Sequence, residues 1–191
     1  MDKYSLKIAI IGSSNCGKSS IVERTCNNKF SNRTDTTIGA AFNTYQINNN
    51  NCEINFNIWD VAGQERFRSL LPLYYNNAQA ILIIYDITDY ETFENAKSLY
   101  HDVIKHNSHK PIIILVGNKS DLKNKRVIKT ELGKQFADLK SIHFIETSAK
   151  NSHNILKMFY IISNNLDYTL KDEVQDVIED LKWKYNCCII S

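Results

Sequence analysis

An apolar run opened by a lysine, Lys7 to Ile11, leads straight into Gly12-Ser13-Ser14-Asn15-Cys16-Gly17-Lys18-Ser19, and a segment of helical period follows. No other feature constrains the fold as tightly. The pattern GxxxxGK[ST] between a strand and a helix forms a glycine-rich turn. Its backbone N–H groups and the helix N-terminus make a concave anion site. Such a turn belongs at the C-terminal end of a strand in an α/β sheet. Residues Ser14 to Ser20 are then the phosphate-binding stretch. Lys18 is placed to neutralise the β- and γ-phosphates, and Ser19 to offer its hydroxyl to Mg²⁺. Alone, the motif implies a nucleoside triphosphate without choosing which one or naming a reaction.

The rest of the chain agrees with an open α/β fold. Continuous apolar runs occur at Ile81 to Asp86, Pro111 to Asn118 and Ile142 to Thr147, as strands buried on both faces require. Between them lie two helical stripes: Phe93, Ala96, Tyr100, Val103 and Ile104, then Ile155, Met158, Phe159 and Ile162. Ala41 to Ile47 and Cys52 to Asp60 flank a short Asn run and read as an antiparallel hairpin. The expectation is one domain with helices on both faces of a mostly parallel sheet and no internal repeat.

Composition narrows the function classes. The 191 residues suit a single core, and a net charge of +2 without a basic run argues against nucleic acid. The five cysteines are odd in number, and Cys16, Cys26 and Cys52 are scattered. With no secretory leader pattern at the start, a reduced cytosolic setting is expected. No apolar run is long enough to span a bilayer.

Three further segments select the nucleotide. Trp59 to Glu65, WDVAGQE, puts Asp60 at a strand end, where a Mg²⁺-linked carboxylate is needed. Gly63 can bring its N–H to a γ-phosphate, and Gln64 can orient a water. Gly117 to Asp121, GNKSD, ends a buried strand. Asp121 can accept from guanine's N1–H and exocyclic amine, which adenine lacks. Asn118 braces the site, and the Lys119 stem can lie along the base plane. In Glu146 to Lys150, ETSAK, Ser148 can brace the loop and the Ala149 N–H can reach guanine O6. Four such segments, in order and each at a strand's C-terminal end, are not a coincidence of polar loops, and the guanine-reading NKSD argues against a P-loop kinase or ATPase. Retained Gln64, Thr37 and Asp60 argue against a scaffold that never hydrolyses.

With these motifs the chain resembles the small GTPases of the Ras superfamily, within them the Rab branch, over about residues 5 to 168 and the last five. TIGAAF (Thr37 to Phe42), WDVAGQERF and YDIT (Tyr85 to Thr88) carry the Rab character. TIGAAF with AQA (Ala78 to Ala80) most resembles the early-endosomal group. The resemblance implies a six-stranded G domain over 1–168 with one antiparallel strand, a variable tail over 169–191, and GTP or GDP with Mg²⁺ as ligands. It implies that Ser19, Thr37 and Asp60 serve the metal, and that Thr37, with Lys18 and Gln64, serves hydrolysis. Phe30 matches the aromatic that packs edge-on against guanine; on its own merits it reads as core. Val61, the YYNNA stretch (Tyr74 to Ala78) and Ser14 depart from the usual Rab or Ras residues. No motif places an arginine in the site, so turnover alone is expected at about 10⁻⁴ to 10⁻³ per second, with an activating protein supplying the charge.

Alternation in Cys52 to Asp60 puts Trp59 on the face of Glu53, Asn55 and Asn57, opposite Ile54, Phe56 and Ile58. Phe42 shares its face with Thr44 and Gln46. Two aromatics on polar faces are either covered by neighbouring chain or form a partner-binding patch. The resemblance implies the patch, with Phe42, Trp59 and Tyr74 presented to effectors. It implies an exchange factor, an activating protein, a GDP-dissociation inhibitor and a prenylation escort protein as further partners, with the protein a monomer. The expected location is the cytosolic face of endosomal or other vesicle membranes, in exchange with cytosol. Cys188-Ile189-Ile190-Ser191 fits a prenylation signal. One lipid chain anchors only marginally. Lys171, Lys182 and Lys184 are outnumbered by the tail's acids, so no polybasic second signal exists. Two geranylgeranyl groups, on Cys187 and Cys188, are therefore expected. Leu170, Val174, Val177, Ile178, Leu181 and Tyr185 fall at helical spacing in the same tail.

Overall fold

The computed structural model describes residues 2–32, 37–49, 52–107 and 110–166. Both tail cysteines and the tail's helical spacing lie outside them.

Six strands form one sheet: β1 (Asp2–Gly12), β2 (Ala40–Asn49), β3 (Cys52–Val61), β4 (Ala80–Asp86), β5 (Ile112–Asn118) and β6 (His143–Glu146). Their order is β2-β3-β1-β4-β5-β6. All neighbours are parallel except β2 and β3, whose hairpin sets Phe42 opposite Trp59 and Ala41 opposite Asp60. Among the described residues the five α-helices are α1 (Lys18–Asn27), α2 (Leu71–Tyr75), α3 (Tyr90–His106), α4 (Thr130–Lys140) and α5 (Ile155–Asn164). The α/β class, the hairpin and the single antiparallel pairing are as the sequence predicts.

Period-2 alternation divides the central strands between two cores. Ile8, Ile10, Leu82, Ile84, Ile114 and Val116 point to one side and meet Ile21 of α1 and Met158, Phe159 and Ile162 of α5. Ala9, Ile11, Ile81, Ile83, Ile113 and Leu115 point to the other and meet Phe93, Ala96, Leu99 and Val103 of α3. Burial on both faces accounts for the uninterrupted apolar runs. Strand β1 starts five residues before its apolar run. Its first half pairs with β3, and Tyr4 and Leu6 pack on the α1/α5 side. The α3 stripe needs one correction. Ile104 is 51% exposed, and Leu99 fills the core in its place. Ile104 sits one residue beyond Val103, and that rotation carries it off the buried face. Asp89 caps α3 by accepting from the Glu91 N–H at 3.0 Å.

Asparagine takes four of the seven left-handed positions held by residues other than glycine among those described: Asn15, Asn28, Asn77 and Asn154. Asparagine tolerates that conformation better than most side chains. In YYNNA, Asn77 has φ 57°. Lys7 Nζ donates to the Asn76 carbonyl at 2.7 Å and steadies the same turn.

Candidate functional site

Every parallel strand of this sheet ends on the same edge, where α/β folds bind ligands. A cavity of about 500 Å³ opens there. It is lined by Ser14, Asn15, Gly17, Lys18, Ser19 and Ser20 of the first turn, by Phe30 and Thr37, and by Gly63 and Gln64. Asn118, Lys119, Asp121, Ala149 and Lys150 line its other end. Ser31, Asn32 and Leu122 complete it; no motif singles them out.

At the phosphate-loop end, Gly17 caps α1 with φ 92°, a conformation that suits glycine. The next residue, Lys18, is buried, and its ammonium donates to the carbonyls of Gly12 at 3.0 Å and Ser13 at 2.8 Å. The amine is therefore folded back over its own loop. The Ser19 and Thr37 hydroxyls lie 2.9 Å apart. Behind them Asp60 is 3% exposed, and its Oδ1 has no hydrogen-bond partner. Burial pushes the Asp60 carboxyl up, partly offset by a hydrogen bond from Ser19 and by the Lys18 charge. A lone buried carboxylate oxygen next to two hydroxyls is a hard oxygen donor set. The residues present fit Mg²⁺, which binds through one or two carboxylates and fills its shell with phosphate and water oxygens.

The base end is built by cross-links between two loops. Asn118 is buried; its amide donates to the Cys16 carbonyl at 2.9 Å, and its Oδ1 accepts from the Thr147 hydroxyl at 3.2 Å. The Thr147 amide donates to the Gly117 carbonyl and the Ser120 amide to the Thr147 carbonyl, both at 2.9 Å. Ser148 is fully buried, and its hydroxyl donates to Asp121 Oδ1 at 2.5 Å. That bond aims the carboxylate and leaves its other oxygen for a ligand. Ser148 thus reaches the cavity only through Asp121.

Cys16 belongs to the phosphate loop by its backbone. Its side chain is fully buried in the α1/α5 core and does not line the cavity. Burial pushes its thiol up. A small side chain on this tight loop packs inward; the Cys16 carbonyl accepts from Asn118, and its sulfur lies 4.0 Å from the Lys18 ammonium. Phe30 packs on the same core, as its own merits suggest, and also forms one wall of the cavity.

Two arginines that no motif identifies hold the base loop. Arg24 of α1 donates to the carbonyls of Ala149 at 2.8 Å and Lys150 at 3.1 Å. Arg126 grips Glu146 through both carboxylate oxygens, at 2.6 and 2.8 Å. A third, Arg68, pairs with Asp102 of α3 at 2.6 Å.

On the hairpin surface, Phe42 is 54% exposed and meets Trp59 edge-on, centroids 5.2 Å apart. Trp59 in turn meets Tyr74 at 5.8 Å. Trp59 and Tyr74 are half-buried against the α3-side core. The three rings are contiguous. The covering reading holds for one side of Trp59, where Tyr74 of α2 lies.

A family model described as Ras family matches residues 7–168. The chain belongs to the Ras family. It is a GTP-binding switch protein and a GTPase, since members of this family hydrolyse GTP. Ras-family proteins work with exchange factors, activating proteins and effectors. In this one, no helix among the described residues is long and apolar enough to cross a membrane.

Proposed function

We propose that this Ras-family protein reads guanine with Asp121, Asn118, Lys119 and Ala149, holds the phosphates with residues 14–20, and carries Mg²⁺ on Ser19, Thr37 and Asp60. The observation that carries the reading is one cavity lined at one end by the Ser148-aimed Asp121 carboxylate and at the other by Ser19 and Thr37, with the partnerless Asp60 oxygen buried behind them. Phe30 closes the base side. When bound, the cation neutralises phosphate charge. Gln64 orients the attacking water, and Lys18 swings from the Gly12 and Ser13 carbonyls to the β- and γ-phosphates. Thr37 and Gly63 sense the γ-phosphate, so its loss releases the segments that carry them.

Competition against a fluorescent GDP, followed by single-turnover hydrolysis, tests this. GTP and GDP are expected to displace the probe and ATP to fail. Gln64→Leu removes one hydrogen bond to the water, about 1.4 kcal/mol, and slows hydrolysis about tenfold with affinity nearly intact. An unchanged rate, with an activating protein present, takes Gln64 off the catalytic set.

The finer reading is a Rab-type role in vesicle traffic, most like the early-endosomal group. TIGAAF, YDIT and the contiguous Phe42, Trp59 and Tyr74 rings support it. Effectors would dock on those rings in the GTP state. Trp59→Ala is expected to weaken effector capture about tenfold or more, as loss of a central aromatic anchor does, while GTP still binds. Equal capture by wild type and variant in a GTP-loaded pull-down excludes Trp59 from that surface.

On this reading residues 1–168 form the switch domain and 169–191 the membrane tether. A GDP-dissociation inhibitor and an escort protein handle the lipids, and the protein cycles as a monomer between cytosol and endosomal or other vesicle membranes. Intact-mass analysis of the membrane-extracted protein is expected to show two geranylgeranyl groups, on Cys187 and Cys188. A single farnesyl on stably bound protein rules that out.

A further inference from the structure

Asp86 closes β4 directly opposite Asn118 on β5. Its side chain is 9% exposed, and its two oxygens have separate partners. Oδ1 accepts from the Thr88 amide at 2.8 Å and from the Thr88 hydroxyl at 2.7 Å. Oδ2 faces the Lys119 ammonium at 2.6 Å. Lys119 is the first residue after β5 and has φ 65°, so the chain turns away while the side chain crosses the sheet edge. Its stem runs along the phosphate loop: a Cβ built on Gly17 would lie 4.0 Å from Lys119 Cε. Asp86 itself does not line the cavity.

We propose that Asp86 is a positioning residue for nucleotide retention, holding the Lys119 ammonium at the back of the cavity so that the stem lies extended under the base. The proposal rests on the guanine-site reading above. Lysine is a flexible chain with a strongly hydrated head, and a nearby polyphosphate attracts it. Without an anchor, the Lys119 head is drawn toward the phosphates and its stem leaves the base plane. A nearly buried carboxylate with one oxygen already committed to Thr88 fixes that head before the ligand arrives. Such pre-organisation lowers the ordering cost of binding. It also leaves Lys18 as the cation of the phosphate loop.

Release of a fluorescent GDP from Mg²⁺-loaded protein tests this for wild type, Asp86→Asn, Lys119→Met, the double variant and Thr88→Val. Asp86→Asn is expected to release about tenfold faster, with single-turnover hydrolysis of preloaded GTP within about twofold of wild type. Lys119→Met is expected to release at least as fast. The double variant should be no faster than Lys119→Met, because Asp86 acts through that lysine. Thr88→Val removes the hydroxyl bond to Oδ1 but keeps the amide bond and the Lys119 contact, so it should match wild type. Unchanged release by Asp86→Asn, additive effects in the double variant, or equal acceleration by Thr88→Val each overturn the proposal. Asp86→Ser carries the same comparison if Asp86→Asn does not load. A wild type that fails to retain GDP overturns the guanine-site reading itself.

Discussion

Asp121→Asn is expected to weaken GDP and GTP binding by about 10² to 10⁴-fold and to shift preference toward xanthine nucleotides. Two hydrogen bonds to a charged acceptor are at stake, each worth about 1.5 to 3 kcal/mol, and every 1.4 kcal/mol is tenfold. The asparagine amide presents a donor to guanine's donors, whereas the xanthine C2 carbonyl accepts from it. The loop itself should survive, because asparagine still offers an oxygen to the Ser148 hydroxyl that now bonds Asp121 at 2.5 Å. Competition of GDP and XDP for the same labelled probe measures the shift. Full guanine preference in the variant would mean that another group reads the base.

Gly63→Ala is expected to leave GDP binding close to wild type and to slow GTP hydrolysis about 10² to 10³-fold, the usual cost of losing a backbone donor at the reacting charge. A Cβ there would collide with Lys18 Nζ. It would also lie 2.5 Å from the Ser13 carbonyl carbon and 2.6 Å from the Gly12 oxygen. Two of those three atoms are backbone, so the Gly63 segment must move away from the phosphate loop. Its N–H then no longer reaches the γ-phosphate, a contact that GDP never makes. Single-turnover hydrolysis beside GDP and GTP affinities separates these effects. Equal loss of both affinities would point to a general collapse of the loop.

How much could be read beforehand follows from where each residue lies along the chain. The phosphate loop, GNKSD and ETSAK were legible because a buried strand leads into each and the physics of a strand end is local. Asn118, Asp121 and Ser148 fell into place for that reason. Which core the Cys16 side chain enters was not legible, since a tight loop has no period from which to read direction. Arg24 and Arg126 were invisible: each acts on the base loop from another element, Arg24 across 125 residues to Ala149. Ile104 was misplaced because helical spacing tolerates one residue of drift at the rim of a stripe. Trp59 was read correctly as facing away from Ile54, Phe56 and Ile58. Its cover by Tyr74 depends on where α2 packs, which strand alternation does not contain.

The asparagines in left-handed turns bear on a state that no folded contact describes. The chain has only 6 glycines, and Asn15, Asn28, Asn77 and Asn154 occupy turn positions where glycine would pay no steric penalty. A glycine there would relieve native strain of about 1 kcal/mol. It would also enlarge the unfolded ensemble, at a cost of about 0.4 to 1 kcal/mol. The two effects oppose each other at similar size. Exchange between asparagine and glycine is therefore close to neutral at Asn15 and Asn77, whereas glycine at Asn28 or Asn154 would also lose the side-chain bond to Arg24 or to the Glu146 carbonyl.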